Sequence, residues 1–200
     1  PNFFIQLFPR KFHHHFYQFT RALEQRNSLL KNQSPIEELL VPWNEQMIYH
    51  GVPVMVHRAQ ALESLQKLVF RFHGELSGKA ENLSLLYKPK VEMPKKRTTK
   101  AWAEIYQQEI TRLKSQEFKR SVTLTGPQRD DFVMLIDDKE LRIFGSQGQQ
   151  RTAVLALHLA ALEFLAEKTG ERPILLLDDV LSELDRNRRK RLLSLIPKDT

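Results

Sequence analysis

The stretch that most constrains this chain is RPILLLDD, Arg172 to Asp179. Ile174 to Leu177 form a short unbroken apolar run, the pattern of a strand buried on both faces. Such a strand needs a layer on either side, so an α/β fold is expected. Asp178 and Asp179 then stand at the strand's carboxyl end, where open α/β sheets place their ligands. Adjacent carboxylates repel unless a cation or a proton lies between them. A magnesium ion with phosphate oxygens is one partner that fits. A strand that simply exits into a polar turn is the other reading.

The element before that strand sharpens the choice. Gly145 to Thr152, GSQGQQRT, is a polar, glycine-interrupted knot that opens an apolar helical run. Ser146 supplies a hydroxyl at the helix start, and the free amides of a first helical turn favour an anion. The apolar helix behind would anchor that tip. A single serine cap is weak evidence. An anion-suited helix start followed by an acidic strand end, and then at once by Ser182, Glu183, Leu184 and Asp185, is stronger.

The rest of the chain places these motifs. Phe12 to Lys31 has apolar residues at helical spacing. Ser34, Pro35 and Glu37 make a helix start, with Ser34 as cap. Pro42 and Pro53 are expected to break or bend the chain beyond that start, and Val54 to Leu76 to form a further helix. Leu83 to Pro89 is expected to be a strand, and Val91 to Lys100 a basic loop. Thr99 should cap a helix that runs to about Glu117. Ser121 to Pro127 is expected to be a strand ended by a Gly-Pro turn. Phe132 to Gly145 should form a hairpin around Asp137 and Asp138. Ser146 to Lys168 should be a helix closed by Gly170, with helix again from Ser182. Residues 1 to about 80 thus look all-helical and the remainder mixed α/β.

Composition sets the outer limits. The 200 residues, 41% hydrophobic, suffice for one domain or two small ones. No apolar run reaches the length of a membrane span, so no membrane association is expected. The chain has no cysteine, which excludes disulfides and thiolate metal sites and fits the cytoplasm. The net charge of +7 suggests nucleic acid as a partner. The densest basic run is Arg186, Arg188, Arg189, Lys190 and Arg191, and Lys95, Lys96, Arg97 and Lys100 form a second cluster. Either is a solvated face or a phosphate contact without sequence reading. Three adjacent histidines, His13 to His15, point in different directions on a helix and do not suit one metal ion. His158 is expected to pack, and Trp43 and Trp102 to anchor a core or an interface.

Taken together, the motifs resemble ABC-type ATPases. Ser146 to Gln149, SQGQ, is similar to their signature motif, PILLLDD to their Walker B strand, and Ser182 to Asp185 to their D-loop. With GPQRDD at Gly126 to Asp131, and Ala22 to Lys31, the chain resembles the RecF family, bacterial recombination-mediator ATPases related to SMC-type heads. The resemblance covers nearly the whole chain. It implies a helical arm or lid domain over residues 1–120, with a strand near 83–88. Residues 121–200 would be the C-terminal part of an ABC-type P-loop ATPase head. It implies that Asp178 holds Mg2+ through water and that Asp179 polarises the attacking water. Most ABC enzymes have a glutamate at that second position, so hydrolysis should be slow. Ser146, Gln147, Gly148 and Gln149 would touch ATP held by a partner subunit. Ser182, Glu183, Leu184 and Asp185 would lie at the interface of an ATP-dependent homodimer. Arg129 and Asp130 receive no role beyond a structural ion pair.

The family's function is then an expectation: binding DNA at single-strand gaps and double-strand junctions, in replication, recombination, repair and the SOS response. Proteins resembling RecR and RecO would be partners in loading recombinase. A P-loop reads G-x-x-x-x-G-K-[ST]; Gly74 to Ala80, GELSGKA, departs from it and is rejected. The chain lacks an initiator methionine and is expected to be a piece of a longer protein, inactive by itself for want of that motif. Two other readings remain. An SMC- or RecN-like head predicts sustained heptads, which the prolines at 35, 42 and 53 oppose. A basic DNA-binding adaptor without catalysis predicts that the acidic pair is structural.

Overall fold

A computed structural model describes residues 10–32, 36–79, 81–171, 173–175, 181 and 184–195. In chain order its elements are α1 (Arg10–Leu30), α2 (Glu37–Ser77), β1 (Leu83–Lys88), α3 (Thr99–Arg120) and a 3-10 turn (Pro127–Arg129). Then come β2 (Asp131–Ile136), β3 (Lys139–Glu140), α4 (Leu141–Phe144), α5 (Gln147–Thr169) and α6 (Arg186–Leu195). The chain is therefore α/β, rich in helix, with one small sheet of order β1-β2-β3. Strands β2 and β3 are antiparallel, with Leu135 opposite Glu140 and Ile136 opposite Lys139. Asp137 and Asp138 turn the hairpin with φ of 46° and 65°. Positive φ at both central residues matches the twist of a two-residue hairpin, and aspartate tolerates it.

The residues fall into two compact units, each built from two segments: 1–60 with 87–132, and 61–86 with 133–200. In the first, α1 buries Phe12, Phe19, Ala22 and Leu30, and α3 buries Trp102, Tyr106, Ile110 and Leu113. These positions follow helical spacing, so each helix offers one face to the core. Two charged residues continue those same faces. Arg26 is 2% exposed and Glu117 is 0% exposed. Arg26 Nη2 donates to Glu117 Oε2 at 2.6 Å, Nη1 to Thr123 Oγ1 at 2.8 Å, and Nε to Asn44 Oδ1 at 2.6 Å. Every nitrogen of the guanidinium thus has an acceptor, the condition under which a buried charge is tolerated.

The second unit buries Leu65, Val69 and Leu76 of α2, Leu83 of β1, and Leu192 of α6. Helix α5 adds Ala153, Ala156 and Ala160, at three- and four-residue spacing. Gln66 pins β1 from the side: Leu85 N donates to its Oε1 at 2.5 Å, and its Nε2 donates to Leu83 O at 3.3 Å.

Several expectations need correction. Pro42 and Pro53 do not break the chain; both lie inside the continuous α2. A proline loses one ladder bond, but Met47, Val52, Val54 and Met55 around them are buried, and that packing carries the helix through. The case against sustained coiled coil drawn from broken helices therefore does not stand. Residues 121–126 form no strand, because their first amides close the end of α3 on Glu117 O and the next two are taken by side chains. Thr123 N donates to Asn27 Oδ1 at 2.8 Å and Leu124 N to Glu117 Oε1 at 2.7 Å. Thr98, not Thr99, caps α3, accepting from Ala101 N. The hairpin's return strand stops after two residues, and Leu141–Phe144 turn into α4. His158 lies exposed on α5 rather than packed. Of the expected strand after α5, residues 174 and 175 carry no regular structure, and Ile174 is 85% exposed. Leu175 is half-buried, and Leu176 and Leu177 lie outside the described residues. The cap expected at Ser34 also lies outside them.

The buried pair yields the first prediction. Glu117→Ala leaves the Arg26 guanidinium buried without its carboxylate, and should cost about 3–5 kcal/mol in urea denaturation. A loss below about 1 kcal/mol, the range of exposed pairs, would contradict the role given to this contact.

Candidate functional site

The start of α5 is tied by a set of local hydrogen bonds. Ser146 is its N-cap, with extended backbone (φ −64°, ψ 159°). Gln149 N donates to Ser146 Oγ at 3.2 Å, and Ser146 N donates to Gln149 Oε1 at 2.7 Å. This is the reciprocal capping box, which ties two amides that a helix start leaves without partners. Gln150 adds a brace, its Nε2 donating to Gly145 O at 3.0 Å. Gly170, at φ 74°, closes the far end. The amides of Gln147 and Gly148 lie between the two residues of the box, at the positive end of a long helix dipole.

Helix α6 starts beside this tip. Asp185 Oδ1 accepts from Asn187 N at 2.9 Å and from Arg188 N at 3.0 Å. Its Oδ2 lies 3.4 Å from Arg188 Nη1. The same guanidinium nitrogen covers Gly148, 3.0 Å from where a Cβ would stand. Glycine at 148 thus lets an arginine from α6 rest on the α5 tip. A helix start with capped serine, two leading amides and an adjacent guanidinium suits a phosphate.

The structure brings together Ser146, Gln147, Gly148 and Gln149 with Asp185 and Arg188. Leu184 is buried. Asp178, Asp179, Ser182 and Glu183 lie outside the described residues. The two basic clusters belong to different units. Lys95, Lys96, Arg97 and Lys100 are exposed. On α6, Arg186, Arg189 and Lys190 are more open, whereas Arg188 is held at the tip and Arg191 Nη1 donates to Leu76 O at 3.2 Å.

Asp130 is structural, but its partner is not Arg129. It accepts from Tyr87 Oη at 2.5 Å and from Lys90 N at 2.9 Å, and lies 4.0 Å from Arg58. Burial pushes its carboxyl up, against those hydrogen bonds; burial and that carboxylate push the Tyr87 hydroxyl up as well. Arg129 instead reaches Thr123 O, Nη2 donating at 3.2 Å. Gly126, at φ 112°, lets the chain turn into this motif. The rejected GELSGKA segment begins in the last turn of α2, beyond which Gly78 N and Lys79 N both donate to Gly74 O; Ala80 lies outside the described residues. His15 and His50 share a ring-nitrogen contact of 3.1 Å. Among the described residues no group of three or more His, Asp or Glu is placed for a metal ion. No described helix is long and apolar enough to cross a membrane.

Two residues behind the tip were missed by sequence reading. Glu81 accepts from Gln149 Nε2 at 2.9 Å. His73 lies fully buried with its Nε2 3.8 Å from Glu81 Oε2, and burial pushes its imidazole down. An acidic residue in a loop and a histidine on a helix carry no spacing signal that joins them.

Comparison with known proteins places this arrangement. A solved structure described as the recombination mediator protein RecF-ATP in the RecFOR pathway superposes with a TM-score of 0.84. It is 35% identical over 93% of this chain and 50% of its own. A second, of RecF-ATPrS, matches equally well. The fold is thus that of part of an ATP-binding recombination mediator. The DNA replication and repair protein RecF of Symbiobacterium thermophilum is 42% identical over 92% of this chain. That of Gloeobacter violaceus is 42% identical over 90%. No family model matches. The chain spans about half the length of these relatives, 49% and 48%. Over that half, the chain is similar to RecF proteins.

The tip offers a pH prediction. Hydrogen bonds, that from the Arg188 amide foremost, hold the Asp185 carboxyl below its usual range. A lowered carboxylate contributes fully above its unfolded value, about 3.9, and is lost as pH falls through the folded value. Hydrogen-exchange protection at Asn187 and Arg188 should therefore fall as pH drops below that window. Protection that persists there would remove Asp185 as the cap of α6.

Proposed function

We propose that this chain supplies, to a DNA-repair ATPase of the recombination-mediator kind, the face that closes over ATP bound by a second copy. Ser146, Gln147, Gly148 and Gln149 contact the γ-phosphate of that partner-held ATP. Ser182, Glu183, Leu184 and Asp185 form the adjoining interface, so nucleotide and dimer are linked. The observation that carries this reading is the α5 tip: a reciprocally capped helix start whose leading amides lie beside Arg188. The ATP-bound state of the solved RecF neighbour supports it.

Within the same copy, Asp178 is assigned Mg2+ through water, and Asp179 the polarisation of the attacking water. Bound magnesium would offset charge on the phosphates. The short arm of aspartate makes Asp179 a less well-placed base than glutamate, so turnover is slow. Double-stranded DNA and its gap junctions are the proposed substrate surface. Lys95, Lys96, Arg97 and Lys100, with Arg186, Arg189 and Lys190, supply phosphate contacts without base reading. Proteins resembling RecR and RecO are the proposed partners in recombinase loading, in keeping with the RecFOR pathway of the solved neighbour. The setting is the bacterial cytoplasm.

Two measurements test the nucleotide roles. Ser146→Arg in the intact protein fills the tip, and should abolish ATP-dependent dimerisation in light scattering while each monomer still binds ATP. Dimerisation at wild-type strength would refute the assignment. Asp178→Asn should remove ATP turnover; unaltered turnover would favour a non-catalytic adaptor. For DNA, replacing Lys95, Lys96 and Lys100 with Ala should flatten the salt dependence of duplex binding. The expected change in log–log slope is about 0.9 per lost contact, read by fluorescence anisotropy. An unchanged slope would remove this loop from the DNA surface.

A further inference from the structure

Gln149 holds the tip together, yet its own orientation is set from outside α5. Its side-chain oxygen accepts from Ser146 N at 2.7 Å, and its Nε2 donates to Glu81 Oε1 at 2.9 Å. Only one orientation of the amide satisfies both, because the reverse would set oxygen against carboxylate and N–H against N–H. An amide nitrogen carries two hydrogens. Glu81 takes one and leaves the other for an acceptor arriving from elsewhere.

Glu81 is itself firmly placed. The next residue, Asn82, is clasped to the β2–β3 turn: its N donates to Asp137 Oδ1 at 3.1 Å, and Asp137 N donates to Asn82 O at 3.1 Å. Beyond it, Gln66 holds Leu83 and Leu85. Behind the carboxylate lies the fully buried His73. Glu81 Oε2 and both His73 ring nitrogens are buried without a hydrogen-bond partner. The carboxylate's described hydrogen bond is therefore the one it makes to Gln149.

We propose that Glu81 is a positioning residue for the α5 tip: by fixing the Gln149 amide it presents the remaining Nε2 hydrogen to the phosphate of the partner's nucleotide. This rests on the proposed sharing of ATP between two copies. Two effects of Glu81 oppose each other. Its hydrogen bond orients the donor, while its negative charge repels an incoming phosphate. Glutamine at 81 keeps an acceptor oxygen of the same reach and removes the charge.

The test uses the intact protein with ATP and Mg2+, reading dimerisation by light scattering and monomer ATP affinity separately. Wild type should dimerise; if it does not, the shared-nucleotide reading falls and this inference with it. If it does, E81A should weaken the ATP-dependent dimer about tenfold, one hydrogen bond's worth, with monomer ATP affinity unchanged. E81Q should restore dimerisation to wild-type strength or above. A merely structural glutamate would lower the thermal midpoint in both variants without this rescue. E81A that dimerises like wild type, or E81Q as weak as E81A, overturns the proposal while leaving the shared-nucleotide reading intact. Should E81A fail to fold, E81D, whose shorter arm falls short of Gln149, takes its place with the same expected loss.

Discussion

The reciprocal bond between Ser146 and Gln149 is the contact on which the rest of the account depends. It ends the backbone of α5 cleanly and leaves the leading amides at the positive end of the dipole. Without it the first turn would fray, and neither the approach of Arg188 over Gly148 nor the reach of Gln149 to Glu81 would be defined. The alanine-rich body of α5 serves the same end. Ala153, Ala156 and Ala160 are buried, so the helix is anchored along its length and its tip is held still.

The two units solve a related problem by different means. The first must bury charge, and does so by giving every guanidinium nitrogen of Arg26 an acceptor. Asp130 is handled the same way, by Tyr87, Lys90 and Arg58. These networks explain why Ala22 to Lys31 and Gly126 to Asp131 look like motifs: their polar residues hold a core together. The second unit buries mostly aliphatic residues; its unmet polar atoms include those of His73 and Glu81 behind the α5 tip, while the first unit leaves Arg58 Nε, Tyr106 Oη and Thr125 Oγ1 unmet.

Much of this was legible in the sequence where one rule governs one element. Ser146 and Gly170 announced both ends of α5, because capping is local chemistry. The strand at Leu83 and the turn at Asp137 and Asp138 were legible for the same reason. Long-range partners were not. The apparent strand at 121–126 failed because Asn27 and Glu117 take its amides, and no pattern within the segment shows that. Pro53 misled because burial of its neighbours outweighs one lost ladder bond. Arg26 and Glu117 did carry a signal, a charge on each apolar face at core spacing, which a pairing argument would have used. Glu81 carried none. Asp178 and Asp179 rest on motif likeness alone.

Likeness to RecF extends over about half of those relatives' length, and on the proposed reading the α5 tip of that half acts on a nucleotide held by a second copy. The most direct measurement is complementation between two defective copies of the intact protein, one carrying Ser146→Arg and the other Asp178→Asn, with each inactive alone. Mixed, they can form a dimer with one site assembled from the undamaged halves, and ATP turnover should reappear. A mixture as inactive as its components would contradict a site shared between copies.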